Sequence, residues 1–347
     1  MRASPLEIVA LFPSTEAHSF GGVQASGRDG WGVIVKRFGA GRAHAFSYEA
    51  GTSKTKAVLR ALGHRRRTKL VLVWHLHLLK LLPVVDFSAS RVVVFLHGIE
   101  AWRRHDSVIQ LLLKKVDLFL SNSDVTWARF VQCNPSFEGA SHRTVHLGTG
   151  TPLDGKTPAP SKVPSVLMVS RLDRGEDYKG HRQMIQAWPR VLERTPEARL
   201  CIVGEGNLRQ NLEELAQRSA PTHSIAFCGR VSDVEKEQLL GRCRCLAMPS
   251  RGEGFGLVYL EAMRIGRPCL VSNADAGCEV INPPEAGLAV DPDDPCELTD
   301  AVTRLLAQGH EWDGWSSCAR ARYEAHFTVE HFHHRLLRAL FESEPRT

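Results

Sequence analysis

The sequence predicts an α/β protein made of two doubly wound domains, each with a parallel sheet, facing each other across a cleft. Three observations carry this. Short β-rich runs alternate with helix-period segments along most of the chain, which demands a parallel sheet covered on both faces. The alternation stops around 151–164, where Pro152, Pro158, Pro160 and Pro164 stand among Gly, Ser, Thr and Lys, and then restarts. At 347 residues the chain is long enough for two cores of this kind.

In the first domain, 1–150, runs rich in Val, Ile, Leu and Phe predict strands at 7–12, 32–38, 70–74, 92–96, 118–121 and 144–147. Helical periodicity falls at 54–62, 107–116 and 125–133, and only a short segment, 22–30, separates the first two strands. The proline-rich stretch 151–164 reads as a linker. The second domain, 165–325, repeats the alternation more clearly, with strands at 166–170, 199–203, 225–228, 245–248, 268–272 and 288–290. Its helices fall at 181–194, 208–218, 234–242, 256–265 and 298–306. The remainder, 326–347, holds one more helix at 328–341 with leucines and phenylalanines on one side. Ligands of open α/β sheets bind beyond the carboxyl ends of the strands, so motifs that follow strands are the ones to read for function.

Composition narrows the class. No run of about 20 apolar residues is present, so nothing spans a membrane. Residues 1–5 lead into the first strand without a signal-type apolar core, so a cytoplasmic protein is expected. The nine cysteines are odd in number, scattered, and mostly inside apolar runs, as Cys201 and Cys228 are, which predicts buried reduced thiols. Cys243 and Cys245 lack a second pair at zinc spacing, and no metal site is expected. Residues 1–150 carry 20 Lys+Arg against 10 Asp+Glu, a net of +10; the remainder, 24 against 28, is −4. The basic half suits an anionic partner or an anionic membrane surface, and equally a set of solvated helix ends. Its densest cluster is Arg60, Arg65, Arg66, Arg67 and Lys69. No basic–aromatic interleaving points to nucleic acid.

The chemistry is concentrated at Glu253-Gly254-Phe255-Gly256-Leu257 and Glu261. Glu253 falls on a glycine-rich loop after a strand, and Glu261 about one and a half turns into the next helix. Carboxylates accept hydrogen bonds from sugar hydroxyls, while the helix end and its amides favour phosphate. After another strand, Arg171 and, eight residues on, Lys179-Gly180 offer a planar fork and a point charge to a diphosphate, or surface salt bridges to Asp173, Glu176 or Asp177. Gly21-Gly22 opens a helix after the first strand and could cradle an anion or a sugar with its amides. His97, at a strand end, could hydrogen-bond a hydroxyl, assist proton transfer or be structural; His75 and His77 form a similar pair. Gly204-Glu205-Gly206 has Arg209 where a dinucleotide fingerprint needs its third glycine. Asp291-Pro292-Asp293-Asp294 reads as a strand-to-helix turn and N-cap rather than a metal cluster.

Glu253 and Glu261 around Gly-Phe-Gly-Leu resemble the paired-glutamate motif of retaining glycosyltransferases of family four. Met248-Pro249-Ser250, Glu261-Ala262-Met263, Gly266-Arg267-Pro268, Val169-Ser170-Arg171 with Lys179-Gly180, Val203-Gly204-Glu205-Gly206, Phe227-Cys228-Gly229 and Val290-Asp291-Pro292 are similar to that family too. The match covers nearly all of 165–307 and scattered points before it: Gly21-Gly22-Val23, His97-Gly98-Ile99-Glu100, Ser121-Asn122-Ser123 and His146-Leu147-Gly148. The interval between Arg171 and Lys179 is slightly longer than in many relatives.

The resemblance implies a GT-B architecture of two Rossmann-like domains, acceptor side first and nucleotide-sugar side second, with the last helix packing back on the first. It implies that Arg171 and Lys179 hold the donor diphosphate and Glu261 the ribose. Glu253 and the amides of Gly254, Phe255, Gly256 and Leu257 would hold the transferred sugar. The backbone at Gly229, Arg230 and Val231 would meet the base, with Gly21 and Gly22 also on the donor and His97 beside the reacting sugar. The expected activity is retaining, metal-independent transfer of a hexose from GDP-mannose or a UDP-sugar to a glycan or polyprenyl-linked acceptor, in polysaccharide or glycolipid assembly. No cofactor beyond the nucleotide-sugar co-substrate is expected. The basic first half would attach the protein peripherally to the inner face of the cell membrane. An epimerase or phosphorylase on the same fold, and a non-catalytic nucleotide-sugar-binding protein, are the competing readings.

Overall fold

The structure, a computed structural model, describes residues 8–13, 21–47, 68–84, 90–221 and 223–342. The helix expected at 54–62 and the cluster Arg60, Arg65, Arg66 and Arg67 lie outside the described residues; Lys69 is exposed. The chain divides into two compact units, Met1–Gly148 with Val329–Thr347, and Thr149–Thr328.

The first unit holds a six-stranded sheet in the order β2-β1-β3-β4-β5-β6, with β1 Ile8–Phe12, β2 Ala43–Ser47, β3 Leu70–Val73, β4 Arg91–Leu96, β5 Leu118–Ser121 and β6 His142–Thr144. Every pairing is parallel. The strand expected at 32–38 is instead the second half of a helix, Gly22–Phe38, and β2 begins only at Ala43. The β-branched Val33-Ile34-Val35 run suggested a strand, but its burial is helical, with Ser26, Gly27, Gly30 and Ile34 facing inward. What they face is Trp74, fully buried between Phe12 and Phe95, whose ring centroids lie 5.4 and 4.8 Å away. A Cβ on Gly30 would stand 2.8 Å from the Trp74 ring, so the helix comes this close only because the position is glycine. The final helix, Val329–Phe341, joins the same layer: Phe332 contacts Trp74 at 6.4 Å and Phe341 contacts Phe38 at 4.5 Å. The sixth strand lies at His142–Thr144 and not at 144–147; Val145 and Leu147 are buried beyond its end, which extended the apolar pattern past the ladder.

The second unit carries the parallel sheet β12-β11-β10-β7-β8-β9, from β7 Ser165–Val169, β8 Arg199–Val203, β9 Ile225–Gly229, β10 Cys245–Met248, β11 Cys269–Ser272 and β12 Gly287–Val290. Numbered from its own start this is the order 3-2-1-4-5-6, so the winding reverses between β7 and β10. The stretch 151–164, expected as a linker, belongs to this unit. Its carbonyls are taken up by arginines: Arg264 donates to Thr151 O (2.7 Å), Arg320 to Leu153 O (2.7 Å) and Gly155 O (2.7 Å), and Arg267 to Pro158 O (2.6 Å). Helices Gly277–Ile281 and His310–His326 are additional to the sequence reading. Cys228, expected to be buried, is exposed, as are Cys296 and Cys318.

Candidate active site

The reversal of winding fixes which loops meet. β7 and β10 are neighbours, so the segments leaving their carboxyl ends lie side by side. After β7 comes a 3-10 turn, Arg174–Lys179, then Gly180 and helix His181–Arg194. After β10 comes the glycine-rich loop and helix Leu257–Arg264. Gly180 has φ +85°, and a Cβ there would stand 2.5 Å from Pro249 O, so both its backbone and its space require glycine. Arg251 N donates to Tyr178 O at 2.9 Å, clamping loop to turn. The result is a direct contact: Lys179 Nζ donates to Glu253 Oε2 at 2.6 Å, with side chains only 13% and 17% exposed.

Burial opposes the charge on Lys179, but the Glu253 carboxylate outweighs it and holds the ammonium above its ordinary range. Beneath Glu253 lies Asp275, 2% exposed, which accepts from Glu253 N (3.2 Å) and Gly277 N (2.9 Å). Burial raises the Asp275 carboxyl to about 8, and the Glu253 charge adds to that. The Lys179 ammonium pairs with Glu253, and its charge also pulls the Asp275 carboxyl down, against burial. His181, opening the next helix, is buried against Ser170 Oγ (3.1 Å) and lowered to about 4 by burial, with Lys179 adding to the shift.

Glu261 does not join the Lys179–Glu253 pair; it accepts from Lys236 Nζ at 2.9 Å, on the neighbouring helix Asp233–Arg242. Burial raises its carboxyl above the usual range while Lys236 pulls it down. Arg171 pairs with Glu176, one of the salt-bridge alternatives, and its side chain is 61% exposed. Gly254 and Phe255 are buried, Gly256 and Leu257 half-buried, and Tyr259 anchors the helix start through its hydroxyl to Met248 O (2.9 Å). Gly229 ends β9 and is buried beside Glu205 and Arg209, whereas Arg230 is exposed and Val231 half-buried. Asp294 caps its helix through Cys296 N (2.8 Å) and Glu297 N (3.1 Å), and the neighbouring Asp293 pairs with Arg251.

In the first unit, Gly21 caps helix Gly22–Phe38, both glycines exposed at its start. His97 follows β4, buried and stacked on Phe95 with ring centroids 4.6 Å apart. Its Nε2 lies 2.6 Å from Trp74 O, and a carbonyl only accepts, so Nε2 carries the ring proton. That leaves Nδ1 as a bare acceptor, buried without a partner among the described residues. Burial lowers the imidazole to about 3, so it is neutral at physiological pH. Asn122 Nδ2 donates to His97 O at 2.7 Å, and Asn122 Oδ1 is also buried and unpaired among the described residues. His77 N donates to His75 Nδ1 at 3.3 Å, and Arg103 lies 2.8 Å from His77 Nε2.

Two residues of this arrangement escaped the sequence reading. Asp275 sits beyond β11, and only the tertiary fold shows that it holds the Glu253 amide. Lys236 sits on a helix whose charges look like a solvated face.

Comparison with known proteins agrees with this organisation. The family model described as glycosyl transferases group 1 matches residues 152–325, the segment that contains Arg171, Lys179, Glu253 and Glu261. A GDP-mannose-dependent monoacylated α-(1-6)-phosphatidylinositol monomannoside mannosyltransferase of Corynebacterium glutamicum is 29% identical over 287 residues, 75% of this chain and 72% of that protein. Among solved structures, a sucrose-phosphate synthase of Thermosynechococcus elongatus superposes with a TM-score of 0.76 at 18% identity, over 95% of this chain and 97% of that one. HepE of Anabaena, solved with UDP and glucose, gives 0.73 at 17% identity, over 97% and 100%. These structures establish the fold, two Rossmann-like α/β domains of the GT-B type. With half of its length matched by the family model, over the segment that pairs Lys179 with Glu253, the chain belongs to the group 1 glycosyl transferases.

Proposed function

We propose that the protein transfers a hexose from a nucleotide sugar, GDP-mannose or a UDP-sugar, to a glycan or lipid-linked acceptor, with retention at the anomeric carbon and without a metal ion. The observation that carries this is the Lys179–Glu253 contact at the β7/β10 reversal, beside the amides that open helix Leu257–Arg264. Lysine has three N–H donors, so the one given to Glu253 leaves two for a diphosphate. In this reading Lys179, Arg171 and the helix amides stabilise the charge of the departing diphosphate. Glu253 and the amides of Gly254–Leu257 hold the sugar as it becomes oxocarbenium-like, Glu261 holds the ribose, and the backbone at Gly229, Arg230 and Val231 meets the base. In the first unit, Gly21 and Gly22 contact the donor, and His97 accepts a sugar hydroxyl through its neutral, unpaired Nδ1. The acceptor attacks from the leaving-group face and passes its proton to the diphosphate.

The Corynebacterium relative is named for GDP-mannose and a phosphatidylinositol mannoside, which favours a mannosyl donor and a glycolipid acceptor here. Peripheral attachment to an anionic inner membrane surface goes with that acceptor. No helix among the described residues is long and apolar enough to cross a membrane. The test is a thermal-shift screen of nucleotide sugars followed by product analysis. A ligand at about 100 Kd stabilises by about 2.7 kcal/mol. Absence of any shift would refute the donor site, an inverted product anomer would refute retention, and loss of turnover with EDTA would refute metal independence. Equal sedimentation with neutral and anionic vesicles would refute the membrane attachment.

A further inference from the structure

The edge of the second sheet carries a feature the transfer reaction does not use. β9 is the outermost strand, and its pairing with β8 slips: Cys201 lies opposite Ala226 and Ile202 opposite Phe227, but Val203 lies opposite Gly229. Cys228 is therefore an extra residue in a bulge, without a ladder partner of its own. Strand alternation puts Cys201, Ala226 and Cys228 on one face. Cys228 is exposed, and Cys201 is half-buried on the neighbouring strand. The neighbouring Cys201 thiol and the Arg209 guanidinium hold the Cys228 thiol below its ordinary range against the effect of burial, while Cys228 and burial hold that of Cys201 above it. Cys243, which also influences Cys201, is buried, donates to Leu240 O at 3.3 Å, and is pushed up to about 12 by burial.

We propose that Cys201 and Cys228 form a modification site for small-molecule disulfides, which closes into an intramolecular disulfide. Cys228 is the attacking thiol, because it is exposed and the Arg209 guanidinium favours its thiolate. Its thiolate attacks one sulfur of the disulfide, forming a mixed disulfide and releasing one thiolate, which takes a proton. Cys201 then loses its proton and attacks the Cys228 sulfur, releasing the second thiol. Two electrons and two protons pass from the protein to the disulfide, yielding two small thiols and one Cys201–Cys228 bond. The bulge allows the closure, since Cys228 can shift without breaking a ladder pairing of its own.

The experiment incubates the full chain with oxidised glutathione, alkylates remaining thiols, and maps peptides by mass spectrometry without reduction. The expected result is a Cys201–Cys228-linked peptide, with joint loss of alkylation at both positions while the exposed Cys296 and Cys318 remain alkylated. Cys201→Ser should trap glutathione on Cys228, and Cys228→Ser should leave Cys201 alkylated and unmodified by glutathione. A wild-type protein that retains glutathione on Cys228 without the linked peptide would overturn the proposal. So would modification of Cys296 or Cys318 ahead of Cys228.

Discussion

Replacing Asp275 with asparagine should change how stability depends on pH. In the folded protein the Asp275 carboxyl titrates at about 8, against an ordinary value of 3.8, because burial penalises its charge. Below pH of about 4 it is neutral in both folded and unfolded chains, and its contribution is fully present. Between the two values the folded protein holds a proton that the unfolded chain has lost, so stability falls as pH rises, by about 1.4 kcal/mol per pH unit. From pH 6 to pH 8, by which point the folded carboxyl is half ionised, that amounts to about 2.3 kcal/mol, or roughly 5–9 °C in Tm for a unit of this size. Asparagine keeps one acceptor oxygen but turns an amide group toward one of the two N–H donors, Glu253 N or Gly277 N, at a pH-independent cost of about 1–3 kcal/mol. The variant should therefore melt below wild type at pH 6 and approach or overtake it by pH 8. Differential scanning fluorimetry of both proteins from pH 5 to pH 9 at constant ionic strength measures this, because titrating groups that do not interact with Asp275 cancel in the difference. A Tm difference that stays constant across the range would mean that Asp275 is ionised throughout, and the reasoning would be refuted.

Lys179→Met removes the ammonium that donates to Glu253, and turnover should fall by at least about a hundredfold, with the nucleotide-induced thermal shift lost. Gly30→Val should destabilise by about 1–3 kcal/mol, read as a lower Tm and altered Trp fluorescence, because its side chain would collide with Trp74. Arg267 is fully buried and donates to Leu240 O (3.0 Å), Gly241 O (2.5 Å), Ile265 O (3.3 Å) and Pro158 O (2.6 Å). Arg267→Lys cannot reproduce that planar fork and should cost about 2–4 kcal/mol, with faster proteolysis within 151–164.

The second unit was the more legible in sequence, and the reason is local. Its strands are short apolar runs bounded by turn residues, and its helices have clear periodicity: 199–203, 245–248 and 181–194 fall where the reading put them. The first unit misled where tertiary packing overrode local preference. Val33-Ile34-Val35 prefers a strand, but Gly27 and Gly30 let a helix settle on Trp74. Helix His310–His326 did carry a signal, since Trp312, Trp315, Ala319 and Tyr323 are buried at helical spacing, and it went unread. Lys179 and Glu253 stood out as charged residues next to glycines, Arg171 as a cation just beyond a strand, and Glu261 as a carboxylate in the helix that the glycine-rich loop opens. Their actual pairing, Lys179 with Glu253 but Glu261 with Lys236, depends on which strands are neighbours, and that only the sheet order supplies.

The place of helix Val329–Phe341 against Gly22–Phe38 has a consequence for synthesis. A ribosome makes residues 149–328 between the two parts of the first unit. The second unit can therefore complete its core while the first still lacks the helix that covers Trp74 on the Phe332 side. During that interval the first sheet would expose an apolar layer to solvent. Nascent chains stalled before residue 329 should be the ones that bind chaperones most strongly and resist protease least.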